Sequence, residues 1–157
     1  MKTLIIYDSY FGNTEEIGQA IAKTLQADYE VTALRAIDVT PEQFHDVKLL
    51  IMGSPTRGFR PSENTLSLLK TRMPQNLSGL AVAAFDTRID LETIKSKAFR
   101  FMVNTGGYAA TSLSKALTKR GATLLAPPEG FLVSGEQGPL KEGEIERASK
   151  WALSLIN

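Results

Sequence analysis

The stretch YDSYFGNTEEIG, Tyr7 to Gly18, connects an apolar run to the start of an amphipathic pattern. The run before it, Thr3 to Tyr7, is typical of a buried strand, and the apolar residues after it recur at helical spacing. A polar loop at this junction places the N–H groups of the next helix where an anion can bind. Gly12 allows a close backbone approach. Three neighbours can donate side-chain hydrogen bonds: Ser9, Asn13 and Thr14. The loop therefore predicts a phosphate site.

This loop lacks the motifs of two common classes of phosphate-binding loop. It contains neither Gly-x-x-x-x-Gly-Lys-Ser/Thr, typical of nucleoside triphosphate sites, nor Gly-x-Gly-x-x-Gly, typical of dinucleotide sites. A monophosphate remains as the ligand. The alternative is that Ser9 only turns the chain and Asn13 only caps the helix, since Asn13 with Glu16 resembles a capping box. We favour the ligand because glycine and donors occur together in one loop.

Strand-like and helix-like segments alternate along the chain. Apolar runs lie at Thr3–Tyr7, Tyr29–Arg35, Lys48–Ser54, Leu80–Asp86 and on either side of Pro127 and Pro128. Apolar helical faces are formed by Ile17, Ala20, Ile21, Thr24 and Leu25, by Leu113, Ala116, Leu117 and Arg120, and by Ile145, Ala148, Ala152, Leu155 and Ile156. Parallel strands need crossover connections. The alternation therefore predicts a doubly wound α/β domain, a three-layer sandwich around a five-stranded parallel sheet.

Length and composition restrict the class of protein. A chain of 157 residues without repeats or linkers is expected to form one domain, residues 1–157. It has no cysteine, one histidine and a net charge of +1, which argue against disulfides, a zinc site and binding to nucleic acid or membranes. We expect a cytoplasmic protein, a monomer or weak dimer, with no metal site and no catalytic residue of its own. Any redox chemistry must use a cofactor.

The first loop resembles that of the flavodoxin family, which typically reads Ser/Thr, two variable residues, Gly, any residue, Thr. The resemblance implies the strand order 2-1-3-4-5 and FMN as the cofactor, with the FMN phosphate held by the side chains and N–H groups of the loop. The residues implied are Ser9, Tyr10, Phe11, Gly12, Asn13 and Thr14. Phe11 departs from the pattern, since many family members have a hydroxyl residue there.

Two further loops are expected to form the walls of this site. The segment GSPTRGFRPSE, Gly53 to Glu63, is long, rich in glycine and proline, and contains an aromatic residue. In the family this segment curls around the flavin ring, which implies contacts from Ser54, Pro55, Thr56, Arg57, Gly58 and Phe59. Phe59 is expected either to stack on the ring or to pack against the next helix, and Gly58 can reorient its peptide.

The third wall is implied by FDTRID, Phe85 to Asp90. By position it contributes three residues near the flavin: Asp86, Thr87 and Arg88. Arg88 can equally be a surface charge, and Tyr108 is a weaker candidate for ring stacking. The segment from Asp86 to Gly107 predicts either a short helix, with Ile94, Ala98 and Met102 on one face, or a binding loop.

Other conspicuous residues are expected to be structural. Trp151 lies near the apolar stripe of the last helix, and His45 precedes the third strand, far from the expected cofactor end. The loop from Gly135 to Gly138 falls at the carboxyl end of the sheet, where it can contact a ligand, but the interpretation as a plain connection is favoured.

The resemblance leaves three functional hypotheses. The first is an FMN-binding protein that transfers electrons between redox partner proteins. The second is an FMN-dependent reductase acting on a quinone, NAD(P)H or a protoporphyrinogen-type substrate, and the third is an interaction module that has lost FMN. A phosphoryl-accepting receiver is disfavoured, since Asp8 stands alone after the first strand. Three arginines on the ring loops, Arg57, Arg60 and Arg88, predict a less reducing FMN than in acidic flavodoxins.

Overall fold

The structure is a computed structural model that describes residues 1–93 and 95–157, with the side chains of residues 93 and 103–106 outside the description. The strands are β1 (Lys2–Tyr7), β2 (Glu30–Arg35), β3 (Leu49–Pro55), β4 (Ala81–Ile89), β5 (Thr123–Leu124) and β6 (Glu129–Val133). The helices are α1 (Asn13–Leu25), α2 (Glu63–Thr71), α3 (Lys97–Gly106), α4 (Ala109–Lys119) and α5 (Glu144–Ile156). Short 3₁₀ turns cover Ala36–Asp38, Pro41–Phe44 and Leu91–Thr93.

The strands pair in the order β2-β1-β3-β4-β5, and every pairing between them is parallel. This confirms the predicted doubly wound sheet and its 2-1-3-4-5 order. The fifth position is occupied by two short strands, because β5 pairs with the start of β4 and β6 pairs with its end. Pro127 and Pro128 lie between them, and proline has no N–H to donate to a ladder.

Side chains of the central strands alternate between two apolar cores, one on each face of the sheet. Leu4 and Ile6 pack on one side, and Ile5 packs on the other. This alternation follows from the two-residue period of a strand, and helices must cover both faces because both are apolar. The expected three-layer α/β/α sandwich is therefore the observed architecture.

The helical faces are mostly as expected. Ile17, Ile21 and Leu25 of α1 are buried, and Trp151 of α5 packs edge-on against two core phenylalanines. The prediction for Ile145 is wrong, since its side chain is 42% exposed. Glu144 is the buried residue of that turn, because its carboxylate accepts a hydrogen bond of 2.7 Å from the Leu132 N–H.

The stretch after β4 contains a helix, α3, as one of the two alternatives predicted. Ala98 and Met102 lie on it and are exposed, whereas Ile94 lies outside the described residues. His45 is an exposed surface residue, as expected, 3.2 Å from Asp46. Within residues 1–93 and 95–157, no helix combines the length and the apolar character needed to cross a bilayer.

Candidate cofactor site

The carboxyl ends of β1, β3 and β4 border a cleft of about 440 Å³. The strand order reverses direction between β1 and β3, which is where ligands bind in open α/β sheets. The lining residues are Ser9, Tyr10, Phe11, Asn13, Thr14, Pro55, Thr56, Arg57, Thr87, Arg88, Ile89, Val133 and Glu136. The topology therefore brings all three predicted loops together at one edge of the sheet.

The loop after β1 ends in an exposed helix N-terminus. Gly12 is the N-cap residue, with φ of 94°, and its N–H donates to Ser9 Oγ at 3.0 Å. Among the described residues, Glu16 is the first of α1 whose N–H donates to a backbone carbonyl, that of Gly12. The N–H groups of Asn13 and Thr14 have no acceptor among the described residues, so they can bind an anion.

The expected capping box of Asn13 and Glu16 is wrong. The helix begins at Asn13 itself, one residue earlier than that motif requires, because Gly12 adopts the left-handed conformation and takes the N-cap position. The Asn13 side-chain amide instead donates to the Gln137 carbonyl at 3.2 Å. Asn13 therefore connects the first loop to the loop between β6 and α5.

A buried hydrogen bond joins the start of α1 to the end of β4. The Oγ atoms of Thr14 and Thr87 are 2.8 Å apart, and Thr14 is 1% exposed. Both residues border the first cleft. One hydroxyl of the pair must donate to the other, which leaves a single hydroxyl proton to offer to a ligand.

The loop after β3 is held from beneath by Ser54. Its hydroxyl is fully buried, accepts a hydrogen bond of 2.9 Å from the Ser62 N–H and donates to the Pro55 carbonyl at 3.0 Å. Thr56 connects this loop to β4 and to α4. Its N–H donates to the Thr87 carbonyl at 3.0 Å, and its Oγ accepts from the Ala109 N–H at 3.0 Å. Ser54 therefore supports the wall of the cleft and does not line it.

The tip of that loop is a tight turn closed by two backbone hydrogen bonds between Arg57 and Arg60. Gly58 and Phe59 at its centre both have positive φ, 55° and 66°, as in a type I′ turn. This conformation is costly for a phenylalanine. In this backbone conformation the Phe59 ring points into a second cleft, and Phe59 is one of the residues that line that cleft.

Arg57 spans the first cleft. Its guanidinium carbon lies 4.9 Å from the ring centre of Tyr10 and 5.7 Å from that of Phe11. Its Nη2 atom is 3.1 Å from Glu136 Oε1, in the loop after β6. The ion pair is half exposed, so it can open at little cost when a ligand enters.

Asp86 and Arg88 form a buried pair at the end of β4. Arg88 Nε and Nη2 each donate a 2.7 Å hydrogen bond to Asp86, whose carboxylate also accepts from the Ala110 N–H at 2.9 Å. Burial raises the pKa of Asp86, and the Arg88 guanidinium opposes that rise. Arg88 also lies over the Tyr108 ring, 3.6 Å from its centre.

The ring-loop arginines are therefore not uncompensated cations. Arg57 pairs with Glu136, Arg88 with Asp86, and Arg60 lies 4.0 Å from Glu63. The interpretation of Arg88 as a free surface charge is wrong, since only 20% of its side chain is exposed.

A second, mainly apolar cleft of about 800 Å³ adjoins the first. It is lined by Thr56, Gly58, Phe59, Arg88, Ile89, Phe99, Met102 and Tyr108. Three of these residues also border the first cleft, so the two form one elongated depression. Its polar end contains the α1 N-terminus, and its apolar end contains aromatic side chains.

Most residues named from the sequence border this depression. Ten of them line the first cleft, and Gly58 and Phe59 line the second. The other three, Gly12, Ser54 and Asp86, shape or support the walls. Sequence reasoning missed Ile89, Val133, Glu136, Phe99 and Met102. The signal for Glu136 was its position in a glycine-rich loop at the carboxyl edge of the sheet.

The donors fit a flavin monophosphate. Unpaired N–H groups and hydroxyls at one end suit a phosphate, and an apolar, aromatic cleft at the other suits a planar ring. In residues 1–93 and 95–157, histidine and carboxylate side chains nowhere gather in a group able to hold a metal ion.

The flavodoxin family model matches residues 5–151 of the chain. The oxidised flavodoxin 2 of Bacillus cereus is 25% identical, with a TM-score of 0.76 over 99% of this chain and 98% of that one. Flavodoxin 1 of the same organism, at 17% identity, superimposes with a TM-score of 0.77 over 99% and 97% of the two chains. A flavodoxin from the domain Archaea, also 17% identical, gives 0.71 over 99% and 96%. The last two show the fold alone.

No curated protein matches the chain in sequence. The family match covers most of the chain and agrees with the sheet order and the character of the cleft. The chain therefore belongs to the flavodoxin family and is an FMN-binding electron-transfer protein.

Proposed function

We propose that FMN lies along the elongated depression, with its phosphate at the loop after β1 and its ring in the apolar cleft. The observation that carries this proposal is the α1 N-terminus, whose N–H groups open into the polar end of the depression. A helix N-terminus with unpaired N–H groups favours an anion through both hydrogen bonds and the helix dipole.

The phosphate contacts are assigned to the first loop. The N–H groups of Asn13 and Thr14, the Ser9 hydroxyl and the Asn13 amide are the proposed donors. Ser9 is already an acceptor for the Gly12 N–H, so its own proton is available to a phosphate oxygen. Phe11 offers only its N–H, which leaves this site one hydroxyl short of the usual family pattern.

The flavin ring is assigned to the apolar cleft between Phe59 and Tyr108. Exclusion of water there stabilises the bound ring, and the peptide of Gly58 is placed to donate or accept a hydrogen bond at its edge. When bound, FMN supplies the one-electron chemistry. The chain's residues hold the ring, limit its contact with water and set the charge around it.

The partners are proposed to be larger redox proteins, since the apolar end of the depression is open at the surface beside exposed Phe99 and Met102. We propose a single domain over residues 1–157 that works in the cytoplasm as a monomer or weak dimer. Nothing in the described part of the chain favours the reductase or the flavin-free module.

The experiment is a pair of fluorescence titrations of the flavin-free protein, one with FMN and one with riboflavin, which lacks the phosphate. We expect FMN to bind at least tenfold more tightly. Asn13→Ala should reduce that preference and leave riboflavin binding unchanged. Equal affinities for the two flavins in the wild-type protein would overturn the phosphate assignment.

A second measurement separates carrier from reductase. In an anaerobic reductive titration, an electron carrier is expected to show its two one-electron steps separately. The isolated protein should also oxidise NAD(P)H no faster than free FMN does. Sustained NAD(P)H oxidation would overturn the carrier function.

A further inference from the structure

We propose that α3 and the residues just before it dock an acidic electron-transfer protein. This α3 surface consists of Lys95, Lys97, Phe99, Arg100, Phe101 and Met102. The inference rests on the proposed function, because it names the partner class of the same flavin site.

The α3 surface exposes large apolar side chains at three nearly consecutive positions. Phe99 is 47% exposed, Phe101 69% and Met102 54%. Phe99 and Met102 are three positions apart, share one face of α3 and line the same cleft, whereas Phe101 lies on another face. Single exposed apolar residues are ordinary on a protein surface, but a neighbouring pair such as Phe99 and Met102 beside a cleft points to a protein contact. Aromatic residues and methionine are also the types enriched at the centres of protein interfaces.

The charge of the α3 surface has one sign. Lys95, Lys97 and Arg100 are all exposed, and residues 93–108 contain no aspartate or glutamate. Asp90, just before this surface, interacts with Arg100 but is also bound by Lys141 at 2.6 Å, so together with Glu92 it offsets only part of the positive charge. The whole chain carries a net charge of only +1, so the group remains locally positive on a nearly neutral molecule. Complementary charge steers a partner to such a patch and fixes its orientation.

The α3 surface adjoins the flavin site. Phe99 and Met102 line the apolar cleft together with Phe59 and Tyr108. A partner seated on α3 therefore lies at the open end of the depression, next to the ring position proposed above. Electron transfer needs that closeness, and a docking surface elsewhere on the molecule would not supply it.

Charge and function also decide which of three partners binds the α3 surface: a second copy of the chain, an anionic membrane or an acidic protein. A second copy of the chain would bring the same basic patch against itself in a two-fold contact, which is repulsive. An anionic membrane suits basic and apolar residues, but docking on it would cover the cleft through which the electrons must pass. A protein with surface carboxylates around an apolar centre satisfies both the charge and the function.

The test uses a plant-type ferredoxin as the acidic probe and cytochrome c as the basic one. The test variant combines Lys97→Glu with Arg100→Glu. The control variant combines Lys23→Glu with Lys119→Glu, which changes the net charge equally. Lys23 and Lys119 lie in the last turns of α1 and α4, at the opposite edge of the sheet.

Binding of ferredoxin to the immobilised protein is measured at low and high ionic strength, with and without FMN. We expect the test variant to bind at least tenfold more weakly at low salt and the control variant to stay within about twofold of wild type. The difference should shrink at 0.5 M salt because screening removes it. Equal weakening in both variants, or tighter wild-type binding to cytochrome c, would overturn the proposal.

Two further measurements test the other occupants. Wild-type binding to phosphatidylglycerol vesicles that the test variant loses, without any ferredoxin binding, would identify a membrane surface instead. Dimerisation of the wild type in sedimentation equilibrium that the test variant loses would identify a second copy. Either result would overturn the acidic protein partner.

A stopped-flow experiment connects docking to electron transfer. Reduced ferredoxin gives up one electron from its cluster, and the FMN-loaded protein takes it up. The rate constant should fall at least tenfold in the test variant, while reduction by a small neutral photoreductant stays unchanged.

The two proposals fail in different ways. Ferredoxin binding through Lys97 and Arg100 by a protein that takes up no FMN would overturn the proposed function alone. If the flavin-loaded protein binds ferredoxin equally well with and without the charge reversal at Lys97 and Arg100, the docking surface alone would be overturned.

Discussion

Arg88 donates two hydrogen bonds of 2.7 Å to Asp86, one to each oxygen of a carboxylate that is fully buried. The Ala110 N–H donates a third bond, of 2.9 Å, to the same group. Because burial raises the pKa of Asp86, the buried carboxylate depends on these donors, and on the cation above all, to stay charged. The pair joins β4 to α4 under the flavin site.

We expect Arg88→Met to destabilise the flavin-free protein by about 3 kcal/mol or more at pH 8, because it leaves a buried charge unpaired. Without the cation, burial raises the folded-state pKa of Asp86 further. A group with a raised folded pKa gives its full stability below its unfolded pKa, which is about 4 for an aspartate. That stability is lost as pH rises through the folded value. Urea unfolding should therefore show a larger loss at pH 8 than at pH 4.5.

The control for this prediction is Arg60→Met. Arg60 is exposed and lies 4.0 Å from the exposed Glu63, so the change should cost about 0.5 kcal/mol or less at either pH. Adding Asp86→Asn to Arg88→Met should restore part of the stability at pH 8, since an amide carries no charge to desolvate. A loss that is the same at both pH values would contradict the pairing argument.

Gly138 is predicted to position Asn13 for the phosphate. A Cβ atom at Gly138 would lie 2.5 to 2.9 Å from the Asn13 side chain, so Gly138→Ala must displace that amide. We expect the substitution to weaken FMN binding severalfold and to leave riboflavin binding unchanged, as measured by flavin fluorescence.

Gly143→Ala is the matched control. Gly138 and Gly143 both have φ near +90°, at 97° and 87°, but a Cβ at Gly143 meets nothing within 4 Å. Both alanine variants should lose about 1 kcal/mol of stability from the strained backbone. Weaker FMN binding in both variants alike would show that backbone strain, and not Asn13, is responsible.

The sequence was sufficient for the features that depend on local patterns. Apolar runs and helical spacing predicted the layers of the sandwich, and the letters from Ser9 to Thr14 predicted the helix N-terminus at the site. The break in the fifth strand follows from Pro127 and Pro128, yet the way in which both halves pair with β4 is visible only in the register.

Contacts between distant segments could not be predicted. Arg57 and Glu136 are 79 positions apart, and Asn13 and Gln137 are 124 apart, so no local pattern connects them. For this reason the interpretation of the Gly135–Gly138 loop as a plain connection is wrong. The loop borders the cleft and is bonded to the loop after β1 and to the loop after β3. The expectation of uncompensated positive charge on the ring loops is wrong in the same way, because it leaves out the carboxylates that pair with the three arginines in the fold.

Phe59 is predicted to contact the flavin ring and not the phosphate. Phe59→Ala should weaken FMN and riboflavin binding by the same factor, about fivefold, since an aromatic pair contributes about 1 kcal/mol. Phe101→Ala is the control, because Phe101 is 69% exposed and lines neither cleft. Unchanged affinity for both flavins in Phe59→Ala would show that Phe59 only packs against the protein.

The ion pair between Arg57 and Glu136 is predicted to moderate the potential of the flavin. The lower reducing power expected from the ring-loop arginines stays a prediction, but each of these cations has a carboxylate close by. Glu136→Gln removes one carboxylate and keeps Arg57, so the net charge beside the flavin becomes more positive by one unit. A more positive surrounding stabilises reduced flavin, which carries additional negative charge.

Two unit charges about 10 Å apart in a water-like medium interact by about 0.4 kcal/mol, which is about 20 mV for one electron. We therefore expect Glu136→Gln to raise the midpoint potential of the second one-electron reduction of FMN by about 20 mV at low salt, measured by spectroelectrochemistry. Screening at 0.5 M salt should remove most of the shift. Glu30→Gln, at the start of β2 on the opposite edge of the sheet, should leave the potential unchanged. A lower potential in Glu136→Gln would mean that Arg57 moves away from the flavin once its partner is lost.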